Sequence, residues 1–290
     1  MGDNVEELAQ ALYDVKICDP AIGSGAFPMG LLKEIVEAVA ALAAEDQPTV
    51  RRIWKYKGEF ADNLAHIKEQ IIENSIYGVD IEKGAVDIAR LRFWLSLVVD
   101  ENAPKPLPNL DYRIVVGNSL VSKFEDEIVE IDWNIKTKNA SGVEKIVNDQ
   151  QAKLHLLQVR QHEYFVAHAQ KEKIRQNIRD LKIDILINQI QLSKISFQQA
   201  NPVLGGYAPT TKEIQKNTEN KIKIAGYDQL IQKLQRLKEN KYAPLNYFAW
   251  KLDFPDVLNE KLVKDKVGFD IVIGNPPYVR QERLGQEYKH

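Results

Sequence analysis

Asn275-Pro276-Pro277-Tyr278 combines groups that can act on a planar amine. Consecutive prolines fix the chain and remove backbone donors, so carbonyls stand there without matching amides. The side-chain carbonyl of Asn275 and the backbone carbonyl of Pro276 could both accept protons from one amine. Tyr278 adds a flat face for stacking. The plain alternative is a rigid turn that closes a strand.

Further polar clusters follow short apolar runs. Asp19-Pro20-Ala21-Ile22-Gly23-Ser24-Gly25-Ala26-Phe27 reads as a glycine turn opening a helix. Such a turn lets a ligand approach the backbone, and the helix start offers free amides. Asp19 repels a phosphate and suits an ammonium group. The dinucleotide pattern GxGxxG is not met, because the third glycine is missing and Gly30 comes two positions late. Asp80 can accept hydrogen bonds from a ribose diol, or cap the helix behind it. Asn118 can pair with an adenine edge, or simply stabilise a turn after Gly117. Together these groups fit an adenosine that carries an amino acid.

The elements that must position them alternate. Val15–Cys18, Ser75–Val79, Tyr112–Val116 and Phe269–Ile273 read as strands, each ending in one of the clusters. The sequence predicts helices over Ala26–Ala44 and Lys83–Val99, the latter with Val86, Ala89, Phe93 and Leu97 on one face. Strand–helix alternation predicts an α/β fold with a parallel sheet, whose ligands lie beyond the carboxyl ends of the strands. Between the third and fourth strands the composition changes. Residues 136–241 hold 19 lysines and arginines against 10 acids. Ile174, Ile178, Leu181, Ile185, Asn188, Leu192 and Ile195 follow a coiled-coil spacing, and Leu230, Leu234 and Leu237 mark a shorter second helix. The expected insertion is a basic helical hairpin. Glu239-Asn240-Lys241 reads as helix surface. Gln47 to Ile72, with Trp54, Tyr56 and Phe60, receives no functional reading.

The whole chain has 290 residues, 44% apolar and 28% charged, as in a soluble globular protein. No run of about 18 apolar residues occurs, so no membrane partner is expected. The acidic start has no signal-peptide core. The single cysteine, Cys18, allows neither an internal disulfide nor a thiolate zinc site, and no metal is expected. A reducing cytoplasm suits this chain.

DPAIGSGAF, IYGVDIEKGAVDIARLRFWLSL, VVGNSL, NYFAWKLDFPDVL and GFDIVIGNPPYV, in that order, resemble the gamma-class DNA adenine amino-methyltransferases. The likeness is greatest to the large modification proteins of type IIG restriction–modification and phage-defence systems. It covers about Ile17 to Gln281. It implies a partial Rossmann-like methyltransferase core: 1–135 as the cofactor-binding half, 136–245 as the basic helical insertion, and 246–290 as the return to the core. It further implies S-adenosylmethionine as cofactor. Asp19, Pro20, Ala21, Gly23, Ser24, Gly25 and Phe27 would hold its methionine part. Asp80 would bind the ribose, Ile81 would pack on the adenine, and Asn118 with Leu120 would meet the adenine edge. Asn275, Pro276, Pro277 and Tyr278 would hold an adenine flipped out of double-stranded DNA, and no enzyme nucleophile is required.

The same resemblance leads to the expectation of a fragment. Later core strands and a target-recognition region would lie beyond it, so the chain alone would be inactive. The apolar edge Ile271–Val272–Ile273 would favour self-association. Asn-Pro-Pro-Tyr also marks methyltransferases acting on RNA or on protein glutamine. A non-catalytic nucleic-acid-binding fragment is another reading, and a nicotinamide dehydrogenase is weakened by the missing glycine.

Overall fold

A computed structural model describes residues 2–100, 108–135, 142–167, 169–203, 210–263 and 266–275. It contains two compact units, Met1–Leu120 with Gly268–His290, and Val121–Val267. The second unit therefore takes in residues 121–135 and 246–267, which the sequence resemblance assigns to the core.

In chain order the first unit opens with α1 (Gly2–Asp14), β1 (Ile17–Asp19), α2 (Ala26–Glu45), α3 (Gln47–Trp54), α4 (Leu64–Asn74), β2 (Ile76–Asp80), α5 (Lys83–Val98) and β3 (Ile114–Val116). The second unit holds β4 (Lys123–Phe124), β5 (Glu127–Ile128), α6 (Val143–Val166), α7 (Lys171–Ala200), α8 (Thr211–Glu239), α9 (Trp250–Asp253) and α10 (Pro255–Leu258). The chain then returns to the first unit with β6 (Ile271–Val272).

The first unit is built on a parallel sheet of order β3-β2-β1-β6. Ile17 pairs with Ile76 and with Ile271, and Gly78 pairs with Ile114. Strand ends that are far apart in sequence thus lie side by side. α2 buries Leu32, Ile35, Val39 and Ala43, one helical stripe of an alanine- and leucine-rich segment. α5 buries Val86, Ala89, Phe93 and Leu97, the face that its spacing predicts.

The stretch without a functional reading proves structural. Asp46 caps α3 by accepting from the Thr49 amide at 3.2 Å, and Val50, Ile53 and Trp54 are buried. Trp54 meets Tyr13 of α1 edge to face, with ring centroids 5.3 Å apart. Ile67, Ile71 and Ile72 of α4 complete this part of the core.

The second unit is helical, with a β4–β5 hairpin. Instead of a hairpin with one short arm, the described residues of the insertion form three long helices, α6, α7 and α8, with α7 against both others. α6 escapes the periodicity because its inner face mixes Gln150 with Leu154 and Leu157. α8 begins well before its leucines, at a capping box between Thr210 and Glu213. Ile178, Ile185, Asn188 and Leu192 of the seam are buried; Asn188 donates to Asp149 Oδ2 at 2.7 Å. The segment 246–258 folds as α9 and α10 with an aromatic cluster of Phe248, Trp250 and Phe254. No described helix is long and apolar enough to cross a membrane.

Candidate active site

The carboxyl ends of β1, β2, β3 and β6 gather the sequence-predicted residues of the first unit. At the end of β1, Asp19 is 1% exposed, and its Oδ1 accepts from the Ala21 amide at 3.0 Å. Burial holds its carboxyl above the usual range; the Ala21 hydrogen bond opposes this, and the Asp80 charge adds to it. No lysine or arginine among the described residues is ion-paired with it.

The loop after Asp19 turns back on β2. Ile22 donates its amide to the Val79 carbonyl at 3.0 Å, and Gly25 donates to Ile22 at 2.8 Å. Gly23 has a φ of 52°, which a glycine tolerates without strain. Gly25 is the N-cap of α2, with no side chain to cap the helix amides.

Asp80 closes β2. Its Oδ2 accepts from the Gly23 amide at 2.8 Å and its Oδ1 from the Glu82 amide at 2.9 Å. Glu82, not Asp80, is the N-cap of α5, so Asp80 serves the turn before the helix. Beyond β3, Asn118 Oδ1 accepts from the Leu120 amide at 2.9 Å, and Gly117 donates to the Asp80 carbonyl at 2.9 Å. Ile81 and Leu120 are 66% and 88% exposed, and Phe27 is also exposed. Large apolar side chains held in water at such a place offer faces for a flat apolar ring.

β6 brings the last cluster alongside. Ile273 donates its amide to the Cys18 carbonyl at 2.9 Å. A β-carbon on Gly274 would come within 2.8 Å of Asp19 Oδ1, so the chain leading to Asn275 presses against the end of β1. Asn275 is exposed. Pro276, Pro277 and Tyr278 lie outside the described residues.

Gly78 and Gly274 were not singled out in the sequence, yet both shape the site. A β-carbon on Gly78 would overlap Ile22 Cδ1 at 2.2 Å. For Gly78, a glycine inside a strand is the available signal, since it marks close approach of another group.

Cys18 is buried, and desolvation with the Asp19 charge pushes its thiol up to about 12. A thiol in that state is no nucleophile at neutral pH, which argues against cysteine-dependent base methylation.

Residues 74–290 match the model of the Eco57I restriction-modification methylase family. A Methanocaldococcus jannaschii protein bearing the name of a type II restriction enzyme and methyltransferase is 30% identical over 290 residues. That match covers 92% of this chain and 22% of the relative's length. No solved structure matches.

Proposed function

The chain belongs to the Eco57I restriction-modification methylase family, and from that premise we propose that it forms the cofactor and catalytic part of an adenine-N6 DNA methyltransferase using S-adenosylmethionine. The observation that carries this reading is the pairing of a buried, uncompensated Asp19 with exposed Ile81 and Leu120 around Asp80. These acceptors and apolar faces suit a ligand with a cationic amino-acid end, a diol and a flat ring. The phosphates of a dinucleotide would meet the Asp19 carboxylate at the glycine turn instead.

When bound, S-adenosylmethionine supplies an electrophilic methyl group. Asp19 receives the ammonium group, and Asp80 the ribose hydroxyls. Ile81 and Leu120 pack on the adenine, with Asn118 at its edge. The Gly23-Ser24-Gly25 turn and Phe27 enclose the methionine end. The Asn275 carboxamide oxygen and the Pro276 carbonyl accept from the exocyclic amine of a flipped adenine. These acceptors offset the positive charge that the nitrogen gains on attack. Holding both reactants in line supplies much of the rate, so no side chain needs to act as nucleophile. Tyr278 stacks on the base.

The tests separate the two halves. Asp80→Ala weakens S-adenosylmethionine binding by about 1–3 kcal/mol in calorimetry. Asn275→Ala, in a protein that carries this chain and methylates DNA, abolishes transfer of labelled methyl groups while leaving cofactor affinity nearly unchanged. Normal turnover by that variant on unmethylated DNA refutes the catalytic role.

A further inference from the structure

Asp80 carries more than one duty. A carboxylate has about four acceptor sites. Two are taken within the first unit, one by the Gly23 amide at 2.8 Å and one by the Glu82 amide at 2.9 Å. The Gly23 bond spans 57 positions of sequence and ties the glycine turn after β1 to the end of β2. Gly23 itself sits at a φ of 52°, and the turn has no side-chain cap on α2. Ile22, its neighbour, is held from below by Val79 and by the space that Gly78 leaves.

We infer that Asp80 is a positioning residue for the turn that receives the amino-acid end of the ligand, in addition to its contact with the ribose. The inference rests on the proposed cofactor reading for its ligand. The geometry allows both duties at once, because the two remaining acceptor sites match the two hydroxyls of a ribose diol. Asp80 thereby couples the two ends of the pocket: what loosens it at the ribose also releases the turn that faces the methionine end.

The coupling is measured with two nucleosides. Adenosine has the ring and the diol, and S-adenosylhomocysteine adds the amino-acid end. If Asp80 acts on the ribose alone, Asp80→Ala weakens both by the same factor. With the strut, it weakens S-adenosylhomocysteine about tenfold more than adenosine, the worth of one charge-assisted hydrogen bond. Amide hydrogen exchange of the 290-residue chain gives a readout that needs no ligand. Gly23 exchanges about tenfold faster in Asp80→Ala than in the wild type. Asp80→Asn keeps the shape of the side chain but turns one acceptor into a donor, so it cannot serve both amides; it carries the same measurements if the alanine variant does not fold. Equal losses for the two nucleosides, or Gly23 exchange that does not change, overturns the strut. A wild-type chain that binds neither nucleoside overturns the cofactor reading instead, and the exchange of Gly23 then decides the strut by itself.

Discussion

In the first unit a buried carboxylate, Asp19, stands at a strand end with one backbone amide for company. In the second unit a buried carboxylate, Asp253, meets Lys182 at 2.5 Å, and its other oxygen accepts from the Ala249 amide at 2.9 Å. Asp253 is closed within the protein. Asp19 is equally buried, but no cation among the described residues is paired with it, so its charge is left open. In the helical unit the closed pattern recurs in Gln189, which accepts from Gln150 at 3.2 Å and donates to the Asp132 carbonyl at 2.8 Å. Many of its cations are likewise held internally: Lys194 by Asp228, Lys238 by Asp184, and Lys153 by Asp149 and Asp184. Polarity that is satisfied internally fixes how helices pack. A buried carboxylate without a cation at the end of a sheet is suited to receive one from a ligand.

The contrast breaks most visibly at the closed site. Asp253→Ala removes the carboxylate that meets the buried Lys182 and lowers stability by about 3–5 kcal/mol in urea unfolding. Replacing the pair together, Lys182→Met with Asp253→Leu, recovers most of that loss, because matched apolar groups need no partner. A single variant as stable as the wild type shows that the pair is solvated.

A smaller effect is expected under the open site. Gly78→Ala drives a methyl group into Ile22 and costs about 1–3 kcal/mol by overpacking. Ile22→Val removes the offending Cδ1 and restores part of the stability in the double variant. Losses that simply add show that the two positions do not touch.

Exposed cations on α8 sharpen the comparison further. Lys212 and Lys216 are exposed, unlike the cations neutralised deeper in the unit. If they contact DNA phosphates, replacing each with alanine lowers the salt slope of DNA affinity by about 0.9. An unchanged slope leaves α8 structural.

The smallest effect has the opposite sign. The Asp19 carboxyl is held above its usual range by burial, so the folded chain binds that proton more tightly than the unfolded one. The stability from this group is present in full below the unfolded carboxylate's pKa and is lost as pH rises through the folded value. Asp19→Asn therefore raises the melting temperature of the ligand-free chain slightly at neutral pH, an advantage that disappears in acid, and weakens S-adenosylmethionine binding. A variant less stable at neutral pH than the wild type refutes the open-site account.

Much of the first unit was legible in the sequence because its signals are local. Short apolar runs ending in Asp19, Asp80 and Asn118 mark strand ends, and the spacing of Val86, Ala89, Phe93 and Leu97 fixes a helix face. What stayed hidden needs the assembled fold. Nothing near Gly274 in sequence says that it will press on Asp19, and nothing near Asp80 says that it will hold Gly23. In the insertion, α6 was invisible because Gln150 and its partners place amides where periodicity expects aliphatic side chains.

The placement of β6 beside β1 also has a consequence in time. Lys16 donates its amide to Asp270 across 254 positions of sequence. During synthesis at about 5–20 residues per second, β1 waits roughly 13–50 s for that neighbour. The α1–β3 segment can meanwhile pair β1 with β2 and β2 with β3 through nearer contacts. The β6 side of β1 stays a bare edge until the whole helical unit has emerged, and a bare edge recruits stray strands. The second unit thus sets the length of the interval in which the nascent sheet is most exposed to mispairing. Slower translation through α6 to α8 lengthens that interval, while a shorter insertion brings β6 home sooner.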